Sequence, residues 1–351
     1  MQINKYIVSS EFSIKEAIKW LDSGGIGFLC IYKNDKIYGV ITDGDIRRAI
    51  LNNISLDTKV EKIANTNFIF ATKYTSNLEI QNLFKNKSIK QIPILENEKL
   101  IDIITFENFF GIKTHKNQQS IDAQVVIMAG GKGTRLLPLT HILPKPLIPI
   151  GDKSILEIII DEFSNFGVNS FYISVNYKAS LIKAYFDDTN LKQKIKFIEE
   201  SQPLGTAGAL KFLENKINKP FFVSNCDIII KSDYKAIFDF HQSGNFDATI
   251  VASMQHFKIP YGVCEISNGG ELVQIIEKPE YNFLVNTGFY VLNPNVLKLI
   301  PENTFFHITD LFEKIKKNAG NIGVFPVSQN SWIDIGQMEE YKKVLKNINF
   351  D

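Results

Sequence analysis

The chain is short of cysteine, of net charge and of long apolar runs, and each shortage excludes a class of protein. Three cysteines in 351 residues, Cys30, Cys226 and Cys264, stand apart with no Cys-x-x-Cys spacing. Neither a disulfide framework nor a zinc site is expected from them. Lys and Arg number 39 against 38 Asp and Glu, a net charge of +1. So small a field recruits no nucleic acid and no anionic membrane. No apolar stretch approaches the ~18 residues that cross a bilayer, and no apolar leader follows Met1. His115, His141, His241, His256 and His307 are scattered without metal-ligand spacing. The expectation is a reduced, cytoplasmic protein, without membrane or nucleic-acid partners and long enough for two or three domains.

What is present begins with a repeat. Gly27–Arg48 aligns with Lys90–Gly111 at a constant offset of 63, with Ile31/Ile94, Asn34/Asn97, Lys36/Lys99, Ile41/Ile104 and Thr42/Thr105 identical. Each copy reads as helix, strand, tight turn, strand and helix, the turns supplied by Asn34-Asp35 and Asn97-Glu98. Ile14, Ala17, Ile18 and Leu21 make a helical stripe, and Leu78, Leu83 and Phe84 a weaker counterpart. Two such half-buried units need each other to close a core. Thr42 and Asp45 stand where a helix starts. They either cap it or offer a carboxylate to ligand hydroxyls, and both can hold. The second copy has Asn108 where the first has Asp45. The units are set at 1–60 and 61–115, followed by a polar, aperiodic linker at 116–122.

From residue 123 apolar strands alternate with amphipathic helices, the pattern of an α/β domain with a mostly parallel sheet. Strands are expected at Phe171–Val175, Phe221–Ser224 and Ala248–Ala252. Helices are expected after the cap Ser154 and at Leu181–Phe186, Ala207–Asn215, Tyr234–His241 and Gln337–Ile348. The most informative run is Met128-Ala-Gly-Gly-Lys-Gly-Thr-Arg135 with Pro144-Lys145-Pro146 after it. It follows the apolar segment Gln124–Ile127. Gly130, Gly131 and Gly133 permit positive φ and bring bare N–H groups near an anion, with Lys132, Arg135 and Lys145 adding charge. The spacing fits neither the Walker loop nor the dinucleotide fingerprint. It reads as another phosphate cradle.

This run resembles the signature of the sugar-1-phosphate nucleotidyltransferases, and the resemblance covers residues 124–351. Residues 1–115 resemble a CBS domain pair. Together they imply a Rossmann-like mixed, mostly parallel sheet preceded by an α+β pair. Without hexapeptide repeats after the last helix, no acyltransferase domain is expected. The resemblance assigns nucleotide binding to Met128, Ala129, Gly130, Gly131, Lys132, Gly133, Thr134, Glu200, Gly205 and Thr206. Arg135 and Lys145 become the catalytic cations, and Asp227 and Asp334 the Mg²⁺ ligands, a pair that suits a hard cation. Gly262, Glu277, Lys278 and Asn286 fall to the sugar phosphate. Thr42 and Asp45 would hold the ribose of AMP, ADP or ATP, and the pair implies a homo-oligomer.

The implied reaction is NTP plus sugar 1-phosphate to NDP-sugar plus pyrophosphate. A carboxylate at Glu200 matches the two adjacent donors of guanine, whereas a solvated strand end at Glu199-Glu200 would read nothing. The CBS fusion resembles the glucosamine-1-phosphate guanylyltransferases of legionaminic acid synthesis, which make GDP-glucosamine. The alternatives are a mannose-1-phosphate guanylyltransferase, a glucose-1-phosphate uridylyl- or thymidylyltransferase, and, outside catalysis, an adenylate-sensing scaffold.

Overall fold

The computed structural model describes residues 3–87, 89–106, 109, 120–189 and 193–346, with the side chains of 85–87, 256 and 282 left aside. The chain divides into two compact units, Met1–Lys116 and Asn117–Asp351.

The first unit repeats itself with a 63-residue step at every level. Ile7–Ser9 runs parallel to Phe28–Lys33, which turns back into Lys36–Thr42; Ala71–Thr72, Gln91–Glu96 and Lys99–Thr105 do the same. Val8 lies opposite Ile31 as Ala71 lies opposite Ile94. Even the register shifts coincide, at Ile31/Tyr32 and Ile94/Leu95. Both hairpins turn through two residues of positive φ, 53° and 61° at Asn34 and Asp35, 49° and 60° at Asn97 and Glu98. That left-handed pair matches the twist of the strands it joins. The helices start with the same reciprocal cap, Ser13 with Glu16 and Ser76 with Glu79. One expected contact differs: Leu78 is exposed, and Ile80 with Phe84 forms the buried face of Asn77–Lys87. Tyr6, Phe28, Cys30 and Val40 pack against Leu95, Leu100 and Ile103, so the copies share a core.

The second unit is a mixed α/β domain with a mostly parallel sheet of seven strands. In chain order these are β1 (Val125–Met128), β2 (Ser170–Val175), β3 (Lys194–Glu199), β4 (Phe221–Asn225), β5 (Ala248–Lys258), β6 (Glu280–Leu292) and β7 (Ile322–Val327). Their order across the sheet is β3-β2-β1-β4-β6-β5-β7, with β6 antiparallel to both neighbours. Alternate residues of β1 leave in opposite directions: Val125 and Ile127 join one apolar layer, Val126 and Met128 the other. Burial on both faces explains why these strands read as unbroken apolar runs. Phe163, Phe171, Phe222, Tyr234 and Phe289 form an aromatic knot under the sheet, with Phe163 stacked on Phe289 at 5.5 Å. Ser154 caps Ile155–Ser164 through a box with Glu157. The helix expected at Ala207–Asn215 is instead a 3₁₀ segment, Gly208–Leu213; Ala207 N donates to Phe306 O of a distant loop, and Gly208 N is shared between Phe306 O and Leu204 O.

Candidate active site

Strands β1 to β4 are parallel and end on one edge, and β1 is where the chain reverses its direction of travel across the sheet. That edge of an α/β sheet is where ligands bind. Four segments emerge there: the glycine loop after Met128, Asn176–Lys178 after β2, Glu200 after β3, and Cys226-Asp227 after β4.

Ala129 still donates to Ser174 O, at 2.9 Å, but among the described residues no acceptor is found for the N–H groups of Gly130 through Arg135. A row of free backbone donors is an anion site. The three glycines differ in what they require. Of the three, Gly133 alone has positive φ, +66°. A Cβ on Gly130 would stand 2.7 Å from Glu200 Oε1, so this position is glycine for space. A Cβ on Gly131 would meet no protein atom within 4 Å. Lys132, Thr134 and Arg135 are exposed on the same loop. Lys132 and Arg135 form no ion pair among the described residues.

The proline segment folds back beneath this loop. Thr140 Oγ1 donates to Gly133 O at 3.0 Å, and a Cβ on Gly133 would lie 2.9 Å from Lys145 Cβ and from Thr140 Cγ2. Lys145 is thereby carried into the interior, where its ammonium pairs with Asp227 Oδ2; both side chains are about one-tenth exposed, 10% and 11%. Asp334 comes from the far end of the chain. The strand Trp332–Asp334 pairs with Ile228–Ile230, and Ile335 N donates to Asp227 O at 2.9 Å. Asp227 Oδ2 and Asp334 Oδ1 both lie 2.7 Å from where a Cβ of Gly336 would be. Two carboxylate oxygens thus converge on one small space, which suits a hard divalent cation. Burial pushes the Asp334 carboxyl up, with the charge of Asp227 adding to it, against the Gly336 N–H that its Oδ1 accepts at 2.7 Å and the cations Lys145 and Arg135. Next to Asp227 in the chain, Cys226 is buried in the apolar core, and burial pushes its thiol up to about 12.

Glu200 is buried, not the solvated strand end that its neighbour Glu199 represents. One carboxylate oxygen accepts from Ser174 Oγ, and the other from Leu204 N at 3.0 Å. Asn176 Nδ2 holds the Glu200 carbonyl at 2.7 Å. Gly205 takes φ +78°, and a Cβ there would stand 2.7 Å from Phe306 O. Thr206 Oγ1 accepts from Ile308 N at 2.9 Å. The loop 204–208 is thus anchored on 304–308. Ser174, Asn176 and Phe306 escaped sequence reasoning; for Asn176 the signal was there, a polar residue ending an apolar strand as Asp227 does.

The sugar-side residues form a looser group. Val263–Ile266 and Leu272–Ile276 make a hairpin of their own, and a Cβ on Gly262 would lie 3.0 Å from Glu277 Oε2. Lys278, at φ +46°, sits 4.0 Å from Glu277, both of them exposed. Asn286 lies on β6 beside a register shift and accepts from Gly288 N at 3.1 Å. No described contact joins it to Glu277 or Lys278. In the first unit, Asp45 Oδ2 accepts from Thr42 N and Oγ1 at 2.8 and 2.7 Å, and Oδ1 meets Arg48. Both residues therefore cap their helix. Asn108 and residues 116–119 of the linker lie outside the described residues, and no described helix is long and apolar enough to cross a membrane.

Residues 124–349 match the family model for nucleotidyl transferases, and residues 1–52 and 60–112 match that for CBS domains. A mannose-1-phosphate guanyltransferase of Aspergillus oryzae is 34% identical over 230 residues, 62% of either chain. Mannose-1-phosphate guanylyltransferase 1 of Arabidopsis thaliana is 33% identical over 227 residues. The chain thus spans 62% of the length of these curated relatives. The crystal structure of HddC from Yersinia pseudotuberculosis superimposes with a TM-score of 0.51 at 29% identity, over 64% of this chain and 98% of that one. The same protein complexed with GMP-PN gives a TM-score of 0.50. A glycine loop with free amides, set above a buried lysine and two convergent carboxylates, agrees with the family match: the chain belongs to the nucleotidyl transferase family and carries a CBS domain pair ahead of that domain.

Proposed function

We propose that this protein transfers a guanylyl group from GTP to a hexose 1-phosphate, releasing pyrophosphate. The observation that carries the reading is the row of unpartnered N–H groups from Gly130 to Arg135, beside the Lys145, Asp227 and Asp334 cluster. In this reading the amides and Arg135 hold the β- and γ-phosphates and Lys145 neutralises the α-phosphate. An anionic oxygen of the sugar phosphate attacks the α-phosphorus in line, forming one P–O bond as the bond to pyrophosphate breaks. No general base is required, so positioning and charge neutralisation supply the rate. Asp227 and Asp334 would hold Mg²⁺, which supplies further neutralisation on the phosphate oxygens. Until it and the triphosphate arrive, Lys145 and Asp227 satisfy each other.

The guanine preference rests on Glu200, whose buried carboxylate keeps free lone pairs beside the bare Cα of Gly130. The name of the Aspergillus relative and the GMP-PN bound to HddC support the same base. For the sugar, the relatives favour mannose 1-phosphate. The resemblance carried by the CBS pair ahead of the transferase domain favours glucosamine 1-phosphate and GDP-glucosamine for legionaminic acid. The test is a matrix of GTP, UTP, dTTP, CTP and ATP against mannose, glucosamine, glucose and N-acetylglucosamine 1-phosphates, read as pyrophosphate release. A preference for UTP or dTTP would falsify the role given to Glu200. Adenine-nucleotide binding at Thr42 and Asp45, assembly as a homo-oligomer and a cytoplasmic location belong to the same proposal. Calorimetry with AMP, ADP and ATP on the full chain, wild type against Asp45→Ala, tests the first. It requires the Arg48 contact to give way to ribose hydroxyls.

A further inference from the structure

Lys178 adopts φ +51°, ψ +37°, the left-handed region, as the residue that precedes the helix Ala179–Asp188. Its side chain makes no cap for that helix. A β-carbon is disfavoured in this conformation, and here the side chain that carries it is tied down. What holds it is the proline segment. Lys178 Nζ donates to His141 O at 2.6 Å and to Ile142 O at 2.7 Å, the carbonyls that close the 3₁₀ turn Leu139–His141. The side chains of His141 and Ile142 are exposed, Ile142 by 76%, so little apolar burial fixes this turn. Next to Lys178, Tyr177 Oη donates to Thr140 O at 3.3 Å, while Tyr177 N donates to Gly130 O at 3.4 Å. Thr140 in turn donates to Gly133 O, and Gly133 packs on Lys145.

We propose that Lys178 is a positioning residue for the nucleotide phosphates. Its ammonium grips the carbonyl end of the turn at 139–142. Through Thr140 it fixes Gly133 and the stem of Lys145 in the geometry that receives the triphosphate. Two charge-assisted hydrogen bonds from one flexible side chain replace the apolar packing that the exposed turn lacks. The residue touches no reacting atom in this account. Its effect therefore falls on triphosphate use and leaves the sugar side alone.

The inference rests on the nucleotidyl-transfer reading, and its test keeps the two separable. Lys178→Met retains the stem and removes the ammonium; Lys178→Gln serves if the methionine variant does not fold, and Lys178→Arg restores two donors. With the triphosphate that the wild type uses, kcat/KM should fall roughly 10- to 100-fold in Lys178→Met, with KM for the sugar phosphate changed by less than about twofold. The melting temperature should stay near that of the wild type, and Lys178→Arg should recover most of the loss. Triphosphate kcat/KM within about twofold of wild type overturns the proposal. So does a loss shared equally by both substrates that tracks a lowered melting temperature and is not rescued by arginine. If wild-type protein releases no pyrophosphate from any substrate pair, the transfer reading fails by itself. GTP binding by calorimetry then decides on Lys178: weaker binding by Lys178→Met supports positioning, whereas equal affinity, or no binding by the wild type, overturns it.

Discussion

The two halves of the candidate site are built differently. On the nucleotide side the buried polar side chains are paired, Glu200 with Ser174 and Leu204 and Lys145 with Asp227, and Thr140 holds Gly133 O, while the loop amides above them stay open. On the sugar side Glu277, Lys278 and Asn286 are exposed, on or beside strands that extend past the body of the sheet. β7 pairs with β5 only up to Ser253, so the stretch of β5 beyond it has β6 as its one sheet partner among the described residues. A buried group that loses its partner carries its whole desolvation penalty, whereas an exposed one is rehydrated. The buried part of the nucleotide half is therefore intolerant of change, and the sugar half tolerant of it.

Breaking the buried pair should give the largest effect. Asp227→Asn removes the carboxylate that the buried Lys145 ammonium bonds to, leaving only the charge of Asp334 to act on it among the described site residues. Pyrophosphate release should drop by at least ~10²-fold. Removing one partner of such a pair destabilises by about 3–5 kcal/mol, visible in thermal unfolding. Lys145→Met/Asp227→Asn should regain most of the stability and none of the activity. If stability and activity return together, the pair is not what separates the two properties.

Next in size is the contrast between adjacent glycines. Gly130→Ala forces a methyl against Glu200, an overpacking that costs about 1–3 kcal/mol and should also raise KM for GTP. Gly131→Ala meets no protein atom, so its melting temperature should match the wild type while triphosphate affinity falls. Equal affinities for Gly131→Ala and wild type would show that the free amides do not face the phosphates.

A buried polar group outside the site sharpens the comparison through pH. His241 is 1% exposed and its Nδ1 meets Thr249 Oγ1 at 2.9 Å. Burial lowers its pKa below the ordinary 6.5, with Asn293 and Asp247 pulling the other way. The folded state therefore binds the proton less readily than the unfolded chain does. Its contribution is present at neutral pH and is lost as pH falls below the unfolded value. Wild-type melting temperature should decline between about pH 7.5 and pH 5.5 more steeply than that of His241→Asn. Parallel profiles would remove His241 from the account.

The smallest effect is expected on the sugar side. Lys278→Ala should raise KM for the sugar phosphate by roughly 3- to 10-fold and leave thermal unfolding unchanged, since an exposed ion pair contributes little. A lowered melting temperature would mean that this half is braced after all.

The parts of this molecule that were legible beforehand are local ones. The paired hairpins at Asn34-Asp35 and Asn97-Glu98, the Ser154 cap and the apolar strands each depend on residues a few positions apart. The Ser76-x-x-Glu79 cap is equally local, and on the helix it starts the buried face is Ile80 and Phe84 while Leu78 is exposed. The resemblance to the nucleotidyltransferases marks the glycine loop, Lys145, Asp227 and Asp334, and the structure brings Lys145, Asp227 and Asp334 together. The bracing around them was not legible. Ser174 and Glu200 lie 26 positions apart, and Thr206 reaches Ile308 across 102. Neither contact leaves a periodic trace.

By itself, then, the sequence determined the two-unit organisation, the duplicated hairpins and the chemistry that the glycine loop can support, because backbone preference and hydrophobic period act over short spans. Only the tertiary structure decided that Gly130 is glycine for Glu200's sake, that Lys145 faces Asp227, and that Lys178 turns back onto the proline segment. Those outcomes depend on which loops meet at one edge of the sheet, and strand order is fixed by burial of both sheet faces together and not by any single segment.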